Sequence, residues 1–264
     1  MTRYLDELQC GTPLSRNSPN RKDVIKVQDW LRLNGFSVGA SGSDGDFGGD
    51  TDKAVKAYQR THNLEETGVV DAALWARLVE PLKRAMGFQP ASRNFGDAVV
   101  EVAGAHLAEH PVELDANRDG WVRTYCRGSD GEPFAWCQGF ASTIWDQASE
   151  FTGVAPPIDL MIFDENAQRK LWCLFVPTMV NQAKKQGRFL SSEQAQAAPG
   201  RITKGSMFYV KGGEFGYRHV GLVTDVRGGN IMTCEGNTNA AGSSNGFEVA
   251  SRVRTIAGND FGLC

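Results

Sequence analysis

Four residues whose types could together make and break an acyl bond follow one another along this chain: Cys137, His219, Glu235 and Asn237. A cysteine attacks a carbonyl as its thiolate, and it needs a nearby base and a group that holds that base in the right tautomer. Cys137 heads a stretch in which Phe140, Ala141, Ile144, Trp145 and Ala148 recur at helical spacing after Pro133. The first turn of a buried helix stabilises a thiolate, and its unpaired N–H groups can hold an oxyanion. Trp136 and Gln138 flank the sulfur and are expected to meet substrate. His219 opens an alternating run with Val220, Leu222 and Val226 on one face and His219, Gly221 and Val223 on the other. The imidazole is therefore expected to point away from the apolar side, with Gly221 leaving room for substrate. After a turn at Gly228-Gly229, a second run places Thr233, Glu235 and Asn237 on one face. If the two strands pair, Glu235 or Asn237 can orient His219. Asp225 lies six strand residues away, roughly 20 Å, and is too far.

Two other constellations compete for attention. His106-x-x-Glu109-His110 has the spacing of an inverted zinc-protease motif. Pro111 follows at once, so the histidines sit on a helix end where a cationic ring is favoured without metal. Asp115-x-Asn117-x-Asp119-Gly120 resembles the first half of a calcium loop, but its twelfth position is Cys126 where a bidentate Glu belongs. Neither is taken as a metal site. The six cysteines are scattered without a C-x-x-C pair, which argues against a zinc ribbon or a redox motif. A bridge through Cys10 or Cys264 would suit work outside the cytoplasm.

The elements that must position these residues are those of a globular chain. Its 264 residues are 41% hydrophobic and 22% charged, enough for two modest domains. A net charge of −3 supplies no cationic surface for nucleic acid or anionic lipid. The longest apolar run, residues 171–176, falls far short of the ~18 that a membrane helix needs. The opening residues lack the apolar core of a secretory signal, so no Sec export is expected. Three short helices are expected in the first third: one through Val24, Val27, Trp30 and Leu31, one capped by Thr51, and one capped by Asp71. Trp30, Phe47 and Trp75 read as core. Asp44, Asp46 and Asp50 read as loop caps, with Asp44 and Asp46 also candidates for contact with a glycan or stem peptide. A Gly/Pro-bearing linker spans 85–96, helix resumes over 97–109, and a helical insertion is expected over 164–186.

Two resemblances follow from these residues. Val27-Gln28-x-Trp30-Leu31, Asp44-Gly45-x-Phe47-Gly48-x-x-Thr51-x-x-Ala54-Val55-x-x-Tyr58-Gln59, and Gly68-Val69-Val70-Asp71 with Leu74-Trp75-x-x-Leu78 resemble peptidoglycan-binding domain 1. Trp136-Cys137-x-x-Phe140, Gly205-x-x-x-Tyr209-Val210, His219-Val220-Gly221-x-Val223 and Glu235-Gly236-Asn237 resemble the CHAP family of cysteine amidases and peptidases. Asn245-Gly246 before Val249, Arg252 and Arg254 is similar to its closing hairpin. Ser206 and Gln138 depart from the family pattern. The resemblances imply an α+β chain, with a three-helix peptidoglycan-binding module at 15–84. A papain-like domain at 97–264 would follow, its helices packed on an antiparallel sheet. They imply amide hydrolysis in peptidoglycan by Cys137, His219 and Glu235 or Asn237, with no metal or organic cofactor. A monomer is expected that engages peptidoglycan and neither nucleic acid nor membrane. It would be made in the cytoplasm and released to the wall as a phage-type endolysin, or exported as an antibacterial toxin. A silent wall-binding or virion structural protein is the alternative from another class.

Overall fold

The computed structural model describes residues 5–132, 135–164, 168–239 and 246–264. The Asn245-Gly246 turn therefore lies partly outside the described residues. The chain begins with a short 3₁₀ turn at Asp6–Leu8. Helices α1 (Arg21–Leu33), α2 (Gly49–Thr61) and α3 (Ala72–Leu78) follow. Asn20 caps α1 by accepting from the Asp23 amide, and Asp71 caps α3 by accepting from the Leu74 amide at 2.8 Å. Thr51 is not a cap: α2 starts at Gly49, and the Thr51 hydroxyl instead accepts from Gln28. A fourth helix, α4 (Glu80–Gly87), enters the expected linker and buries Ala85 and Met86.

The rest is a sheet with helices. Helices α5 (Phe95–Ala108), α6 (Gly120–Tyr125) and α7 (Cys137–Thr152) come first. The early part of the expected helical insertion over 164–186 is instead strand β2 (Arg169–Trp172), paired with the preceding β1 (Met161–Asp164), and helix follows as α8 (Val176–Lys185). Then come β3 (Phe189–Leu190), α9 (Ser192–Ala197), β4 (Met207–Lys211), β5 (Tyr217–Arg227), β6 (Asn230–Thr238), β7 (Glu248–Thr255) and β8 (Asn259–Gly262). Among the described residues, six strands form one antiparallel sheet in the order β3-β8-β4-β5-β6-β7. The protein is thus α+β, with a helical N-terminal region and an antiparallel sheet behind it.

Both faces of this sheet are buried, which strict alternation in β5 did not anticipate. Val220 and Leu222 join the larger core, beneath α5 and α7. Phe208, Val223, Ile231 and Phe261 build a second core on the opposite face. The face carrying His219 is therefore not a solvent face. Helix α7 is buried along its length from Cys137 to Ala148, and its tryptophan Trp145 donates to the Gly205 carbonyl at 2.8 Å.

The larger core does not stop at the linker; it runs from Leu14 through Val249. Trp30 packs on Trp121 with ring centroids 5.6 Å apart and donates to Glu7. Around this contact lies a charged cluster. Arg123 binds Glu7 with two nitrogens, at 2.8 and 2.9 Å, and reaches Asp29 at 2.8 Å and Asp130 at 3.0 Å. Asp29 Oδ2 pairs with this guanidinium as an ion pair without a hydrogen bond of full geometry. All six cysteines are free thiols, so no bridge forms through Cys10 or Cys264.

One guanidinium compensates carboxylates drawn from three segments. Arg123→Met should therefore lower the unfolding free energy by about 3–5 kcal/mol, because Glu7 and Asp29 would stay buried and uncompensated. Urea denaturation measures this, and a loss within ~0.5 kcal/mol would show the cluster to be inert.

Candidate functional site

The geometry starts with helix α7. Its N-cap residue is Trp136, which supplies no side-chain cap, so the first-turn amides of Cys137, Gln138 and Gly139 lack intrahelical partners. Gly139 explains how this turn is seated. A Cβ there would stand 2.7 Å from the Tyr125 carbonyl oxygen and 3.1 Å from the Cys126 sulfur, so only glycine lets α7 press on the end of α6.

Strand β5 brings His219 to this helix end. Its Nε2 donates to Glu235 Oε2 at 2.9 Å, and both side chains are fully buried. With Nε2 as the donor, Nδ1 is the unprotonated nitrogen of the neutral ring. Nδ1 has no hydrogen bond of full geometry, yet the Cys137 thiol is the neighbour that most favours the charged ring. Catalytic hydrogen bonds are often incomplete without substrate and tighten only in its complex. Burial opposes charging the ring, but the neighbouring Cys137 thiol and the hydrogen-bonded Glu235 carboxylate outweigh it and raise the His219 pKa to about 9. Burial likewise opposes ionisation of Glu235, but hydrogen bonds from Arg254 and His219 hold its carboxyl at about 2.

Glu235 has further partners that the sequence did not reveal. Arg254 on β7 reaches it with Nε at 2.7 Å and Nη2 at 2.6 Å, and Thr233 donates its hydroxyl at 2.5 Å. The register Leu222↔Cys234, continued by one step, sets Gly221 opposite Glu235. A Cβ on Gly221 would meet Glu235 Cγ and Phe208 Cε1, each at 2.7 Å. The space beside Gly221 therefore holds the carboxylate stem and a phenyl ring, and is not room for substrate.

The other sequence candidates fall elsewhere. Asn237 is buried at a bulge with φ of 54°, and its carbonyl accepts from Gly246, while the ring's acid is Glu235. Trp136 is fully buried, stacked on Tyr125 and donating to Glu113 at 2.7 Å. Gln138 is also fully buried and donates to Ser142 at 2.9 Å. Neither side chain is available as a substrate surface, because the Trp136 ring is committed to Tyr125 and Glu113 and the Gln138 amide to Ser142. Cys137 itself is 2% exposed. Residues 133–134, just before it, lie outside the described residues. The Ser206 hydroxyl accepts from the Cys264 amide at 3.1 Å.

The two competing constellations resolve into structural roles. His106 is buried between the Tyr125 hydroxyl at 3.0 Å and the Gln147 amide oxygen at 3.1 Å, and burial lowers its pKa to about 4. Glu109 binds Arg84, and His110 is exposed past the helix end. In the calcium-like loop, Asp115 pairs with Arg32 at 2.7 Å, and Asp119 caps α6 through the Val122 amide. Among the described residues no cluster of three or more His, Cys, Asp or Glu could hold a metal. No helix among them is long and apolar enough to cross a membrane. Burial raises the pKa of the other five thiols, to about 12 for Cys10 and Cys234 and about 11 for Cys264.

In the N-terminal region a single glutamine organises the loop before α2. Gln28 donates to Asp44, to the Asp46 carbonyl and to Thr51, and accepts from the Gly45 amide at 2.7 Å. Asp44 also accepts from the Asp46 amide, and both Asp44 and Asp46 are exposed at the loop surface. Gln59 holds the Gly68 turn in the same way. A groove of about 160 Å³ runs beside the first loop, lined by Gln28, Asp44, Asp46 and Thr51. A wider one of about 730 Å³ lies between residues 35–43 and Leu114, Asp115 and Arg118.

Residues 20–78 match the family model "Putative peptidoglycan binding domain". The chain therefore carries a wall-associating domain whose two glutamine-pinned loops are built into the matched segment. No curated protein and no solved structure matches the chain significantly. The region after residue 78 is read from its own geometry.

Two outcomes follow from the buried pair. The His219 contribution to stability is complete below its unfolded pKa of 6.5 and is lost as pH rises through about 9. That of Glu235 is complete above 4.5 and is lost as pH falls through about 2. The stability advantage of the wild type over a His219→Asn, Glu235→Gln double variant should therefore be greatest between pH 4.5 and 6.5 and shrink on either side. Denaturation at stepped pH reads it, and a flat difference would contradict the pairing. Gly221→Ala should destabilise by about 1–3 kcal/mol through overpacking against Glu235 and Phe208, measured in the same assay.

Proposed function

We propose that the region behind the peptidoglycan-binding domain hydrolyses an amide bond of peptidoglycan with Cys137 as nucleophile. The observation that carries this reading is the buried line of Cys137, His219 and Glu235, assembled from α7, β5 and β6. His219 Nδ1 takes the thiol proton, giving a thiolate beside an imidazolium that Glu235 stabilises. The sulfur attacks the carbonyl carbon, and the first-turn amides of α7 receive the oxyanion. The imidazolium then protonates the departing amine as the C–N bond breaks and a thioester forms. Water, deprotonated by the same Nδ1, attacks the thioester, and the acid and the thiol are released. No step needs a metal or an organic cofactor. The wall-binding domain raises the local concentration of the site on an insoluble polymer.

The substrate amide is either the muramoyl–L-alanine bond or a stem or cross-bridge peptide bond. We read the chain as a phage-type endolysin released through a separate pore, with an exported antibacterial toxin as the other route to the same wall. The deep burial of Cys137 favours a second class of reading, a catalytically silent wall-binding protein. Cys137→Ala separates the two. Turbidity clearing of cell walls should fall on the order of 10³-fold or more, and clearing that persists undiminished would end the cysteine mechanism. Mass spectrometry of the digested wall should then show new L-alanine amines or new stem-peptide termini, which names the bond.

A further inference from the structure

Glu235 must be ionised to hold His219, yet it is fully buried on a sheet whose second face is apolar. A buried carboxylate persists only where donors replace its water. Four do so here, and they divide evenly between the two oxygens. Oε1 receives Arg254 Nε and the Thr233 hydroxyl, while Oε2 receives Arg254 Nη2 and His219 Nε2. Arg254 is the only one of the three donor residues that touches both oxygens, so it alone sets the plane of the carboxylate. Its reach is long. Arg254 sits opposite Ile231 in the register, whereas Glu235 sits opposite Ala250, so the side chain runs back along the strand to find its partner. The guanidinium lies 5.7 Å from the Phe208 ring centroid, and the arm keeps 19% of its surface exposed. The neighbouring Arg252 makes the ordinary alternative, a pair with Glu248 on its own strand at 3.2 Å.

We propose that Arg254 is a positioning residue whose guanidinium fork fixes the Glu235 carboxylate, and through it turns His219 Nδ1 toward Cys137. This rests on the reading of Cys137 and His219 given above. Bare charge balance would need only a cation nearby. A fork adds orientation, because two parallel N–H bonds leave the carboxylate no rotation about its own axis. Without the fork, Glu235 can take up a proton or turn aside, and His219 loses the acceptor that supports its charged form.

The test uses the full chain with Arg254→Gln and Arg254→Lys. It reads the His219 titration by ¹³C NMR of histidine-labelled protein and the iodoacetamide alkylation of Cys137 by peptide mass spectrometry across pH. Arg254→Gln should lower the His219 midpoint by roughly one unit or more and slow Cys137 alkylation at pH 7 about tenfold. Arg254→Lys, which keeps the charge and loses the fork, should fall between that variant and the wild type. A His219 midpoint that stays put or rises in Arg254→Gln overturns the proposal, because the arginine then only balances charge. If the Gln variant does not fold, a Lys variant with wild-type profiles overturns it equally. Undiminished clearing by Cys137→Ala sinks the hydrolase reading whatever Arg254 does, whereas an unshifted imidazole sinks the positioning role whatever Cys137 does.

Discussion

A negative charge with no water around it is the constraint on which the second region is built. The Glu235 carboxylate lies inside the sheet, and every neighbour on its face is chosen by that fact. Thr233 two residues before it on the same strand, His219 on one neighbouring strand and Arg254 on the other each supply a donor. Glycine opposite it at 221 gives the acid stem its volume. Ionisation costs solvation, and the donors offset that cost only while strand register is kept. Register, protonation and side-chain placement are therefore one problem in β5, β6 and β7, and a slip of one residue would undo all three.

Helix α7 is held to the same standard by packing. Gly236 lies under the Phe140 and Trp136 rings, where a Cβ would come within 2.8 Å of both. Gly139 plays the matching part on the far side of the helix, against α6. Two glycines thus let a helix approach a strand and a second helix at once. The aromatic stack from Trp121 through Tyr125 to Trp136 fills the remaining space. The position of the sulfur follows from close packing on three sides, with little left to local flexibility.

Much of this was legible in the chain, and the gaps have physical causes. The start of α7 at Cys137 shows in the apolar spacing that follows it. The strands show in their alternation, and the nearness of His219 and Glu235 follows once β5 and β6 pair. Alternation, however, reports one buried face and is silent when the second face is covered too, which is why Val223 and His219 were read as facing outward. Nearness in sequence to the sulfur suggests substrate contacts for Trp136 and Gln138, but both side chains turn into the core. Arg254 stands in the closing-hairpin pattern, but its pairing with Glu235 is not legible there, because β7 is an edge strand with partly buried and exposed residues, a pattern that looks like a solvated arginine. The segment of β2 lies within the expected helical insertion because short apolar runs do not distinguish strand from helix. Gln28 and Gln59 stood inside the quoted motifs, yet nothing in a sequence says that one amide will satisfy a whole turn.

The uninterrupted core between the wall-binding domain and the sheet has a mechanical meaning. Trp30 against Trp121, and Arg123 among acids from both sides, join the two parts as a single stiff body rather than as beads on a cord. On the hydrolase reading proposed above, such a build works like a calliper, in which the place where one jaw grips the polymer sets which bond the other can touch.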